Sequence, residues 1–368
     1  MKHLRSIGGL VLGLALFFIS IELLGDALKI FDKAKVDEFL SPAKNPFVGL
    51  FIGILATTLA QSSSTVTAST VALVGAGTIP VAVAHPIVMG ANIGTTVTNT
   101  IVSLAHIGDR EEFKRAIGGA TVHDFFNIIV VAILFPLELL TGFMDRISEV
   151  FAKTFQSVGG LDLASPLKDY FTDPVSKLLS AGIGELGFAG AERWIVLILA
   201  AAFLFFGLRI LVRSLKALAL DQADNVIEKY IFKASWASLV FGVGVTILAQ
   251  SSSVTTSLAV PFVATGALSV AQIFPYICGA NIGTTFTALL AALASGKIDG
   301  LVVALGHFFF NVTGVLIVFP IKPVRNIPVW LAERFGEIAS RYRILAIVYT
   351  LALFYAVPLA VIMIGRLF

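Results

Sequence analysis

Two short polar motifs carry the chemistry of this chain, and each occurs twice. Gln61-Ser62-Ser63-Ser64 is matched by Gln250-Ser251-Ser252-Ser253, both preceded by Leu-Ala, at an offset of 189 residues. Gly90-Ala91-Asn92-Ile93-Gly94-Thr95-Thr96 recurs unchanged as residues 279–285, at the same offset. Consecutive serines at a helix start place hydroxyl donors beside the unpaired N–H groups of the first turn, where the helix dipole is positive. That combination attracts a small anion. The ordinary alternative is a Ser-rich turn or a set of helix caps. In the second motif the glycines permit a helix break. Asn92 and Asn281 then offer carbonyl oxygens, and Thr95, Thr96, Thr284 and Thr285 offer hydroxyls. Such oxygens, with backbone carbonyls freed at a break, suit a hard cation such as Na⁺. Small-residue helix packing uses the same Gly, Ala and Thr but needs no Asn.

Charge is absent around both motifs. Residues 46–105 and 235–296 hold no Lys, Arg, Asp or Glu. An anion held there by dipoles and hydroxyls alone leaves net negative charge in a low-dielectric site, which is costly. Bound cations would offset that cost. Asp124 lies well inside a span beyond the motifs, and its copy is Phe308, whereas Glu22 and Glu138 stand near span ends and read as interfacial. An acid at such depth is a candidate cation ligand, the alternative being a place near the membrane interface. His123 and His307 are expected to be hydrogen-bonded packing groups, because no third ligand stands at a metal-binding spacing. No transition-metal site is expected.

The elements that must position these groups follow from the apolar runs. Stretches long enough to cross a bilayer lie near 7–25, 80–105, 116–136, 194–215, 270–294, 300–320 and 344–365. The apolar flanks of the serine motifs are shorter. At about 15 residues, or about 22 Å of helix, each falls short of a hydrocarbon core of about 30 Å. Two such arms meeting at a polar tip predict re-entrant hairpins over 46–78 and 236–268. His123-Asp124-Phe125-Phe126-Asn127 returns as His307-Phe308-Phe309-Phe310-Asn311, and Phe135-Pro136 as Phe319-Pro320, so the whole order is duplicated.

Each copy contributes an odd number of crossings, which makes the second copy start from the opposite side of the membrane. The expected architecture is an all-α polytopic membrane protein. It has two inverted-topology repeats, each with a re-entrant hairpin and a broken helix, and a C-terminal transmembrane helix. The divisions are 1–140 for the first repeat, 141–192 for an interfacial linker, 193–322 for the second repeat, and 323–368 for an amphipathic segment and last span. The larger share of the 26 Lys and Arg falls on the inside if the N-terminus is cytoplasmic.

Composition agrees. The 368 residues are 57% hydrophobic and 13% charged, against about 25% charged in a soluble domain. This excludes an ordinary cytosolic enzyme, a disordered chain and a nucleic-acid binder, and makes the lipid bilayer the partner. The single cysteine, Cys278, excludes an internal disulfide. No nucleophile–base pair is placed at depth, so an enzyme is not expected.

At these motifs the chain resembles the type II sodium/phosphate cotransporter family. The likeness extends through Gly108-Asp109-Arg110-Glu111-Glu112-Phe113-Lys114-Arg115 and Ala120-Thr121-Val122-His123-Asp124-Phe125-Phe126-Asn127, and covers roughly residues 10–140 and 195–365. The resemblance implies uptake of inorganic phosphate coupled to Na⁺ by alternating access. Phosphate would lie at Ser62, Ser63, Ser64, Ser251, Ser252 and Ser253. Na⁺ would lie around Gln61, Asn92, Thr95, Thr96, Asp124, Gln250, Asn281, Thr284 and Thr285. No cofactor is implied, Na⁺ being the coupling ion. Asp124 matches an acid that electrogenic members use for an additional Na⁺. The chain departs from animal members in its short loop between the repeats, its single cysteine and its lack of a usable glycosylation sequon. That compactness points to a prokaryotic plasma membrane. A homodimer is left open, as are a sodium-coupled carrier of sulfate or a carboxylate, and an anion channel.

Overall fold

The computed structural model describes residues 2–30, 41–161, 166, 168–185, 191–219 and 235–365, and every regular element among them is helical. Of the basic residues used to judge orientation, Lys33, Lys35, Lys229, Lys233 and Arg366 lie outside the described residues, as do 162–165, 167 and 186–190 of the linker. Among the described residues seven helices are long and apolar enough to cross a membrane: Arg5–Ala27, Val81–Leu104, Arg110–Thr141, Glu192–Leu211, Val270–Ser295, Ile298–Val318 and Ile344–Gly365. They fall on the seven stretches expected from hydropathy. The protein is a multi-pass membrane protein.

The first copy begins with α1 (Lys2–Ile30). The first hairpin follows, α2 (Pro46–Ala60) and α3 (Ser63–Gly75). Asn45 caps α2 by accepting from Phe47 N, and Pro46 stands at the first helical position, where its missing N–H costs nothing. Then come α4 (Val81–Gly94), α5 (Val97–Leu104) and α6 (Arg110–Thr141). Asp109 starts α6 by accepting from the N–H groups of Glu111 and Glu112, both at 2.8 Å. Those bonds, that from Glu112 first, hold its carboxyl below the usual carboxylate range. The amphipathic α7 (Phe143–Ser157) and α8 (Asp173–Glu185) occupy the linker.

The second copy repeats the order. It runs α9 (Glu192–Ala219), the hairpin α10 (Ser235–Ala249) and α11 (Ser252–Ala264), then α12 (Val270–Ser295) and α13 (Ile298–Val318). An amphipathic α14 (Lys322–Arg341) follows. The last span is α15 (Ile344–Leu351), a π turn, and α16 (Val357–Gly365).

One expectation changes. The Gly-Ala-Asn-Ile-Gly-Thr-Thr motif does not break a helix in both copies. In the first copy only Thr95 and Thr96 interrupt the path from α4 to α5, and in the second α12 runs through unbroken. The glycines serve contact instead. Gly90 lies against Leu50 and Ile54 of α2, and its copy Gly279 against Leu239 and Val243 of α10. A Cβ on either would run into a backbone carbonyl, Leu50 O or Leu239 O. Each hairpin's first arm therefore packs backbone to backbone on the helix that carries the Asn.

The copies interlock. α1 and α9 run antiparallel, with Gly9 facing Ser214, Gly13 facing Leu211 and Phe17 facing Gly207. α3 lies on α12 and α13, while α11 lies on α5 and α6. α7 packs on α13, and α14 packs on α6. The core between them is closed by Phe126 of one copy edge-on to Phe274 of the other, 5.7 Å apart.

Candidate functional site

The tip of each hairpin is built by its glutamine. Gln61 (φ 53°) and Gln250 (φ 48°) are the only non-glycine residues with positive φ among the described residues. A left-handed conformation costs roughly 1–2 kcal/mol for such a residue. The side chain offsets it. Gln61 Nε2 donates to Thr58 O at 2.6 Å and Gln250 Nε2 to Ile247 O, each closing a carbonyl left open at the end of the first arm. The amide oxygens accept from the next helix, Gln61 Oε1 from Thr98 and Gln250 Oε1 from Thr287, at 2.9 and 2.8 Å. A residue with a shorter amide or none would lose one of these two anchors.

The serine after each glutamine caps the second arm. Ser62 Oγ accepts from Thr65 N at 3.1 Å, and Ser251 Oγ from Val254 N at 3.3 Å. The capping alternative is thus real for the first serine of each motif. The next two serines are buried and point between the copies. Ser63 Oγ lies 3.5 Å from Ser252 Oγ, Ser64 Oγ donates to Gln250 O at 3.0 Å, and Ser253 Oγ donates to Thr95 O at 3.4 Å. The start of α3 and the start of α11 therefore face each other across one hydroxyl pair. The first-turn donors of two helices converge there, the arrangement that favours an anion.

Around the tips a second polar layer joins the copies crosswise. Asn92 Oδ1 meets His307 Nε2 at 3.3 Å, and its copy Asn281 Oδ1 meets His123 Nε2 at 2.5 Å. Asn127 links the two, giving Nδ2–H to Asn92 O and receiving Asn281 Nδ2–H at 2.7 Å. Thr96 Oγ1 stands 3.1 Å from His123 Nδ1. Thr95, Thr284 and Thr285 turn their hydroxyls back to carbonyls of their own helices, Ala91 O, Ala280 O and Ile282 O. Both histidines hold asparagines in place, as expected.

Asp124 is fully buried. Tyr349 OH of the last span donates to its Oδ2 at 3.0 Å, while Oδ1 has no partner. Other buried oxygens in this region are also unsatisfied: Thr57 Oγ1, Thr246 Oγ1, Thr100 Oγ1 and Asn311 Oδ1. Each costs about 1–3 kcal/mol when left unpaired, so a layer of them is the donor set a cation would complete. No Lys or Arg is buried among the described residues.

The sequence motifs left out several of these groups. Thr57 and Thr246, like Thr98 and Thr287, stand at the 189-residue offset, and tracing that register outward from the motifs would have found them. Tyr349 had no signal, because the last span has no copy. Glu138, near the end of α6, is buried against protein and accepts from Met144 N at the start of α7.

A multi-pass helical protein whose two copies pool a buried, cation-free set of hydroxyls, amides and helix starts is thereby defined. The Na+/Pi-cotransporter family model matches residues 16–152 and 203–320, and the chain belongs to that family. Among curated proteins it is 33% identical to the human sodium-dependent phosphate transport protein 2B over 96% of this chain and 64% of that one. It is 36% identical to the rat sodium-dependent phosphate transport protein 2A over 95% of this chain and 66% of that one. The chain thus spans just under two thirds of the length of these relatives. No solved structure gave a significant match.

Proposed function

We propose that this protein couples Na⁺ entry to uptake of inorganic phosphate by alternating access. The observation that carries the reading is the meeting of the two hairpin tips, Ser63 to Ser252, in a buried centre without Lys or Arg. Two helix starts and their hydroxyls favour a tetrahedral oxyanion, and the absence of a fixed cation calls for mobile ones. The names of the relatives, sodium-dependent phosphate transport proteins, support the same pair of substrates.

In this reading Ser62, Ser63, Ser64, Ser251, Ser252 and Ser253 surround phosphate. Gln61, Asn92, Thr95, Thr96, Gln250, Asn281, Thr284 and Thr285 serve Na⁺, and Asp124 serves an additional Na⁺ through its free Oδ1. The inverted arrangement of the repeats 1–140 and 193–322 is supported by the antiparallel α1–α9 pair and the exchanged contacts of the hairpins. The linker 141–192 and the segment 323–368 complete the chain. Charge bias supports a cytoplasmic N-terminus and the short loop between the repeats supports a prokaryotic plasma membrane, and a homodimer is compatible with both. Uptake of labelled phosphate into proteoliposomes, with and without an inward Na⁺ gradient, tests the coupling. Competition by sulfate and carboxylates tests the anion.

A further inference from the structure

The geometry points to a divalent-metal site of His85, Glu138 and Asp145, away from the hairpin tips, suited to Zn²⁺ or a similar first-row cation. His85 lies early in α4, Glu138 near the end of α6, and Asp145 at the start of α7. One ligand atom from each lies within 4.8 Å of the others. His85 Nδ1 stands 2.7 Å from Asp145 Oδ1 and 3.9 Å from Glu138 Oε1. Tetrahedral bonds of about 2.0–2.2 Å put ligand atoms about 3.4 Å apart, between these two separations.

The bland alternative is a helix start with an ion pair. Glu138 does accept from Met144 N, and from Asp145 N at 3.4 Å. Each carboxylate oxygen keeps a second lone pair. The ion pair brings Nδ1 to Asp145 without a directed hydrogen bond and leaves Nε2 without a partner. His85 is 2% exposed, and neither ring nitrogen makes a hydrogen bond, the approach to Asp145 not being directed as one. Gly306 of α13 holds the ring from the other side, since a Cβ there would collide with Nε2. The ring is thus fixed with Nδ1 toward the two acids. A ring nitrogen with two carboxylates suits Zn²⁺ and its neighbours rather than Mg²⁺ or Ca²⁺, which take oxygen ligands.

The duplication argues in the same direction. At the matching positions of the second copy stand Phe274, Lys322 and Val329, none able to serve as a partner in such a set. The set is therefore particular to the first copy and not part of the duplicated framework. Metal bound there would tie α7 to α4 and α6 and leave the fourth coordination position for water.

The test uses the full chain purified in detergent with chelator-treated buffer and Zn²⁺ alone as titrant, followed by calorimetry, with Co²⁺ absorption reporting ligand geometry. The wild type should bind one equivalent of Zn²⁺, and Co²⁺ should give the intense visible bands of a four-coordinate site. Asp145→Asn, at a partly exposed position, and His85→Phe, the residue of the second copy, should each weaken binding at least about tenfold. Should His85→Phe fail to fold, as shown by aggregation on size exclusion, Asp145→Asn alone decides. No saturable Zn²⁺ binding by the wild type, or undiminished binding by a folded variant, would overturn the site.

Discussion

Ser63 and Ser252 are the residues on which the proposed anion site turns. Each hydroxyl is buried and has the other as its neighbour. Replacing either by Ala removes one donor without adding volume. A hydrogen bond to a charged group is worth about 1.5–3 kcal/mol, so Ser63→Ala and Ser252→Ala should each weaken phosphate uptake about tenfold or more. Initial rates in proteoliposomes check this, and unchanged rates in both variants count against a shared site. Asp124 belongs to the same scale. Asp124→Asn keeps the shape and an acceptor for Tyr349 OH but removes the charge. The charge moved per phosphate should fall, measured as current against tracer flux, and an unaltered ratio would remove Asp124 from cation binding.

At the scale of elements, close helix contact explains the motif that reads as a break. Gly90 sits against the Leu50 carbonyl of α2, so Gly90→Ala forces α4 away from the hairpin. Overpacking of this kind costs about 1–3 kcal/mol, and the melting temperature in detergent should drop. Gly244→Ala, on the open side of α10 with nothing within 4 Å, should leave it unchanged or raise it. Equal effects at both positions would contradict the packing role. The hairpins, their tips and the seven spans were legible in the sequence because length and polarity alone fix them. The continuity of α12 was not, because a glycine that admits a break also admits a close neighbour, and only the neighbour decides. The twofold duty of the glutamines, a strained backbone held by its own side chain, was equally hidden. The crossing bonds Asn92–His307 and Asn281–His123 join residues distant in sequence, so no local pattern could pair them.

For the whole molecule, the account requires two copies inserted in opposite senses. The second arms share a tip and part from it. α3 ends beside Ser295 and Lys297, whereas α11 ends beside Arg115, whose Nε–H donates to Ala264 O at 2.8 Å. Single cysteines at Ala76 and Thr265, in the background Cys278→Ala, should therefore react with a membrane-impermeant thiol reagent from opposite sides. Labelling from one side would dissolve the inverted arrangement and with it the shared centre.

The most direct measurement is labelled-phosphate uptake into proteoliposomes of the wild-type chain with Na⁺ outside, compared with K⁺ outside. The account predicts accumulation above the external phosphate concentration with Na⁺ and none with K⁺. Equal flux in both, or equilibration without accumulation, would contradict it.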